Sequence, residues 1–202
     1  MTGVTADPQN AQCKLYGEYT VCWTLSVNGE IEKGDTKHLL SALEVVARQR
    51  PKKGGRSRIG TILFNSPGGD LNEAMVLGRA IRKHLIQTSI SGNASCASAC
   101  VIAFLGGIER WPLGPVIMHS LHSREFTGSE DPDKAMGKRE QTANELRQYL
   151  EEMHISATLI EELDKIPPDS AKTLSVPELD RLGVMGTDPS WAQLTQGQRA
   201  PK

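Results

Sequence analysis

The chain's 202 residues suit one domain with modest tails, and its 38 % hydrophobic and 23 % charged content is that of a globular protein. A net charge of −1 and an aromatic content of 4 % argue against a nucleic-acid or anionic-membrane partner, because they supply neither a basic footprint nor base-stacking platforms. The longest apolar runs, such as Val101–Leu105, are far too short to span a bilayer.

Residues 1–12 are polar and read as a loose tail. Val21–Asn28 is rich in β-branched and aromatic residues and predicts a strand, which Asn28-Gly29 breaks. Asp35 or Thr36 is placed to cap a helix reaching about Arg50, with Leu39, Leu40, Leu43, Val46 and Ala47 at helical spacing. Pro51–Arg58 reads as a basic, solvated turn. Ile59–Phe64 is a short continuous apolar run, the pattern of a buried parallel strand. The sharp turn Asn65-Ser66-Pro67-Gly68-Gly69 follows. Asp70 then opens a helix whose apolar face is Leu71, Ala74, Met75, Gly78, Ile81 and Leu85.

Thr88–Ser91 predicts another strand, Gly92-Asn93 a turn, residues 98–106 a buried helix of small and apolar residues, and Pro115–His119 a further strand. From Gly128 to Lys134 the chain is polar and reads as a loop. A long helix follows to about Met153, with Leu146, Tyr149, Leu150 and Met153 on one face. A shorter helical segment includes Leu159–Leu163, and Pro167-Pro168 stops it. Ser175–Gly183 has a capping-box start and a glycine stop, and the tail after Gly186 reads as polar and frayed. Strands alternate with helices through the first 120 residues, which predicts an α/β domain with a parallel sheet covered by helices. That domain is expected over residues 13–186, between tails at 1–12 and 187–202.

The four cysteines fall in two close pairs, Cys13/Cys22 and Cys96/Cys100. Of the pairings they allow, two local bridges are the simplest. Gly17-Glu18 can turn a hairpin between Cys13 and Cys22, and a helical turn would put Cys96 and Cys100 on one face. Two bridges would suit an oxidising compartment, and four free thiols the cytosol. Met1–Pro8 lacks the basic and apolar regions of a signal peptide. The chain is therefore expected to be either cytoplasmic or a mature periplasmic or secreted form without its leader. Neither cysteine pair has zinc spacing, and no metal or cofactor is expected.

A hydrolytic serine needs a base, oxyanion donors and an exposed place on a rigid element. Ser98 stands between Ala97 and Ala99 where a turn enters a helix, so backbone N–H groups there are unpaired. The amide of Ala99 is placed to help hold an oxyanion. Gly68-Gly69 ends a strand, and its backbone can approach a substrate because no side chain intervenes. His119 ends an apolar strand. All three features sit at predicted strand ends, where open α/β sheets place ligands.

Asn65-Ser-Pro-Gly-Gly69, the Gly92–Cys100 segment around Ser98, and Val116-Ile-Met-His119 together resemble the proteolytic subunit of the Clp protease and its relatives in the Clp/crotonase superfamily. Leu174–Val184 resembles that family's late Leu-Ser-x-x-Glu segment, and Leu25–Ile31 its first core strand, so the resemblance spans about residues 23–186. The Cys-Ala-Ser-Ala-Cys form is closest to a periplasmic branch.

The resemblance implies a parallel sheet of ββα units, with a long protruding helix near the C-terminal third. It implies Ser98 as nucleophile, His119 as general base, the amides of Gly69 and Ala99 as oxyanion hole, and Gly68 and Gly69 beside a peptide or protein substrate. The family's third triad position falls on Ala171, which is not an acid; Asp169, two residues earlier, is the substitute. Lys134 and Lys138 lie in the region that supplies a lysine base in other relatives, but His119 matches better. His122 and His154 are expected to be structural or at the surface. The long helix over residues 137–153 resembles an assembly arm, which implies a homo-oligomer. The segment that docks on a Clp ATPase has no counterpart, so no ATPase partner is carried over.

Three functions follow in order: a serine peptidase working through an acyl-enzyme, a catalytically weak or inactive protein acting in binding or assembly, and an acyl-CoA enzyme of crotonase type.

Overall fold

The computed structural model describes residues 5–11, 19–50, 55–120 and 132–196. The chain folds as two compact units, Met1–Pro115 and Val116–Lys202.

The first unit is built on strands β1 (Thr5–Ala11), β2 (Tyr19–Asn28), β3 (Arg56–Asn65), β4 (Gln87–Ile90), β5 (Cys96–Ala97) and β6 (Glu109–Pro112). Three helices connect them: α1 (Asp35–Arg48), α2 (Leu71–Lys83) and α3 (Ala99–Phe104). Five strands of this unit line up as β1-β2-β3-β4-β6. β2, β3, β4 and β6 run parallel, and β1 pairs antiparallel with β2. The register sets Leu25 beside Ile62 and Val27 beside Phe64, and all four side chains are buried. This is the parallel α/β sheet that the alternating strand and helix patterns predict.

α2 follows its sequence pattern except at its end, where Leu85, expected on the apolar face, lies beyond the helix and is exposed. The Asp70 carboxylate accepts the Glu73 amide at 2.8 Å, and Ala74, Met75, Leu77, Gly78 and Ile81 are buried. At the other end, the Arg82 guanidinium donates to the carbonyls of Leu105, Gly106 and Gly107 just beyond α3, satisfying acceptors that a helix end leaves open. Phe104 meets Phe64 edge-on, with ring centroids 6.2 Å apart.

Several local expectations are corrected. Residues 5–11 form a strand rather than a loose tail. α1 is capped by Gly34 at φ 106°, not by Asp35 or Thr36. Asp35 instead turns its carboxylate back to the Glu32 amide at 2.9 Å. Leu40, expected on the buried face, is exposed. Arg56–Arg58, read as part of a turn, is the start of β3.

The second unit contains β7 (Val116–His119), β8 (Ala171–Thr173) and β9 (Gly186–Thr187), with α4 (Pro132–Glu152), α5 (Thr158–Asp164), α6 (Val176–Arg181) and α7 (Pro189–Gln196). β7 and β8 pair antiparallel, with Ile117 opposite Thr173 and His119 opposite Ala171. The stripe Leu146, Tyr149, Leu150 and Met153 of α4 is buried as its spacing predicts, as are Leu159, Ile160 and Leu163 of α5. α4 begins at Pro132, so residues 132–134 are helix rather than loop. α6 starts with the expected capping box: the Glu178 carboxylate accepts both the Ser175 amide at 2.8 Å and the Ser175 hydroxyl at 2.7 Å.

Residues 187–196, expected to fray, are ordered. Asp188 is fully buried, with His154 Nδ1 at 2.9 Å from its carboxylate and the Ser190 amide donating to it at 3.0 Å. Trp191 of α7 is buried as well. Among the described residues, no helix is long and apolar enough to cross a membrane.

Candidate active site

In the first unit, Asn65–Gly69 and residues 95–100 are held together by backbone bonding. Ser66 bridges Cys96 in parallel fashion: the Ser66 amide donates to Ser95 O at 2.9 Å, and the Ala97 amide donates to Ser66 O at 3.0 Å. Ser66 Oγ, itself buried, accepts the Gly68 amide at 3.1 Å and so shapes the Pro-Gly-Gly turn. Ile31 fixes the other side. Its amide donates to Gly68 O at 2.7 Å, and its carbonyl accepts the Asp70 amide at 2.8 Å.

This is why two glycines are needed. Gly69 has φ 131°, and a Cβ there would lie 2.2 Å from Ile31 O. Gly68 has φ 118°, and a Cβ there would lie 2.8 Å from Ser98 Cβ and 3.2 Å from Ala99 N. The glycine turn and the serine turn therefore pack backbone against backbone. Gly69 is exposed, and its amide donates no hydrogen bond among the described residues. Ala99 is the first residue of α3, so its amide has no acceptor within that helix. The structure thus brings Gly68, Gly69, Ser98 and Ala99 together, with two donors left unspent.

Ser98 has φ 53° and ψ −127°, a conformation that a non-glycine residue adopts at a cost of about 1–3 kcal/mol. It occupies the N-cap position of α3, where a serine normally turns its hydroxyl onto an amide of the first helical turn. Here the Ser98 side chain makes no cap hydrogen bond. The Cys96–Cys100 disulfide flanks it, with the Cα atoms 5.4 Å apart. The bridge joins a strand to a helix, not two positions of one helical turn as the spacing suggests. Cys22 is also disulfide-bonded, whereas Cys13, its expected partner, lies outside the described residues.

In the second unit, His119 ends β7 half-buried, opposite Ala171. Its Nδ1, the nitrogen that an orienting carboxylate would engage, is buried and has no hydrogen-bond partner among the described residues. Asp169 is exposed on the loop before β8. Sequence reasoning places it nearest the triad position, but it does not meet Nδ1.

Lys138 is exposed on α4; Lys134's side chain and His122 lie outside the described residues. His154 has the expected structural role, against Asp188. No cluster that would hold a metal is found among the described residues. Ser66 and Ile31 were not singled out by sequence. Both lie inside segments that carry the resemblance, but residue type does not mark their role, which is to tie the two turns together largely through the backbone.

No family model matches the chain, and no curated protein does. Among solved structures it is similar to ClpP1 from Listeria monocytogenes, with a TM-score of 0.52 and 21 % identity, covering 80 % of this chain and 88 % of that one. A mutant of ClpP1 from the same organism gives a TM-score of 0.51 and 20 % identity over the same shares. At this identity the likeness is one of fold: the chain has the Clp protease fold.

Proposed function

We propose that this protein is a Clp-like serine peptidase. Ser98 Oγ attacks the peptide carbonyl while His119 takes its proton. The amides of Gly69 and Ala99 hold the oxyanion, and His119 returns the proton to the leaving amine. Water then releases the acyl group from Ser98 by the same route. Substrate lies along the Gly68-Gly69 backbone, where no side chain stands in the way.

One observation carries this reading. Ser98 occupies a helix N-cap yet withholds its hydroxyl from the helix, in a strained conformation beside two amides with no acceptor among the described residues. A serine placed for capping or packing has no reason to bear that strain. The disulfide supports an oxidising site of action, periplasmic or extracellular. The long helix α4 supports homo-oligomer formation, which a mass measurement in solution tests.

A fluorophosphonate probe tests the activity. The expected result is an adduct on Ser98, absent in Ser98→Ala and slowed in His119→Ala. An unlabelled wild-type protein removes the reading. It would favour the second one, a Clp-fold protein acting by binding or assembly, for which the partnerless His119 Nδ1 speaks.

A further inference from the structure

We propose that the Cys96–Cys100 disulfide is a positioning clamp that holds Ser98 in its strained, positive-φ turn and so keeps its hydroxyl off the helix. The proposal rests on Ser98 being the nucleophile. Both cysteines are fully buried, and Ser98 is the central residue of the ring they close. Cys96 is anchored in β5, where its amide donates to Pro115 O at 3.0 Å and it bridges Ser66. Cys100 is the second residue of α3.

Released from the bridge, Ser98 has a better conformation at hand. With negative φ it would become an ordinary N-cap, its Oγ accepting the Cys100 or Val101 amide. That conformer spends the hydroxyl on the helix. The bridge and the N-cap conformer therefore compete for the same residue, and the bridge favours the conformer with a free hydroxyl. Loop-closure stabilisation grows with the length of chain enclosed, so a bridge spanning a separation of 4 residues contributes less to global stability than one closing a long loop. Its effect is local. Burial of both sulfurs makes the clamp permanent rather than a switch, since reductants act on exposed disulfides.

The test compares the wild-type protein with Cys96→Ala/Cys100→Ala. Cys96→Ala/Cys100→Val, which restores lost volume, stands in if the alanine pair folds poorly. Fluorophosphonate labelling of Ser98 should slow by about ten-fold or more, equivalent to about 1.4 kcal/mol, well below the melting temperature of either protein. A second measurement is independent of activity. Ser98→Gly relieves the positive φ, so it should raise Tm in the bridged protein and fail to raise it in the bridge-free one. Equal labelling rates, or equal Tm changes in the two backgrounds, overturn the clamp. If the wild-type protein is not labelled, the peptidase reading falls by itself, and the Tm comparison alone decides the clamp.

Discussion

At the scale of single residues, the site depends on places where a side chain is absent or idle. Gly69 cannot carry a Cβ, because the Ile31 carbonyl is already 2.2 Å from where it would sit. Gly69→Ala should therefore destabilise the protein by about 3 kcal/mol through backbone strain and overpacking, measurable by denaturant unfolding. A loss under about 1 kcal/mol would mean that the turn relaxes freely. Asp169 offers the opposite case. It is exposed, and His119 Nδ1 has no partner among the described residues, so Asp169→Asn should leave the rate of fluorophosphonate labelling unchanged. A fall of about ten thousand-fold, the cost of a lost orienting carboxylate in a well-studied triad, would make Asp169 the missing acid.

At the scale of elements, end groups decide where helices and strands stop. α6 is fixed by Ser175 and Glu178, and Lys172 of β8 reaches Glu178 at 2.6 Å. The hydrogen bond from Lys172, followed by those from the Ser175 side chain and backbone, holds the Glu178 carboxyl down at about 2, from an ordinary 4.5. A lowered folded value means that this contribution is complete above the ordinary value and is lost as pH falls through the folded one. Melting temperature should therefore drop between pH 4.5 and about 2 in the wild-type protein, and less steeply in Glu178→Gln. Parallel acid limbs would show that the cluster does not couple to folding. The same Glu178 was legible beforehand, since Ser-x-x-Glu is a local pattern read within one turn. Gly34 as the cap of α1 was not, because Asp35 and Thr36 are better caps by type. Asp35 is drawn away by the Glu32 amide, and the Thr36 amide donates instead to Glu73 of α2 at 2.7 Å, a contact no local pattern encodes.

At the scale of the whole molecule, the disulfides bear on where the protein works. None of the described cysteines is free. Protein taken from its native compartment with thiols blocked at lysis should yield no alkylated Cys22, Cys96 or Cys100 until it is reduced, as read by mass spectrometry. Alkylation before reduction would place the protein among reduced, cytosolic chains. The Clp protease fold and the alternation that announces it agree across both levels, which marks a sequence whose local preferences support its global structure.

The sequence by itself determined the parallel α/β architecture, because hydrophobic period and glycine placement are local records of which faces are buried and where the backbone must turn. It also located Gly68, Gly69, Ser98 and His119 at strand ends. Only the tertiary structure decided that Ser98 takes a strained turn and does not cap its helix, that the cysteine bridge spans a strand and a helix, and that His119 Nδ1 is left without a carboxylate. It likewise drew the polar tail into an ordered helix through the buried Asp188. Each of these depends on partners distant in sequence or on a backbone angle, and neither is written in residue type or spacing.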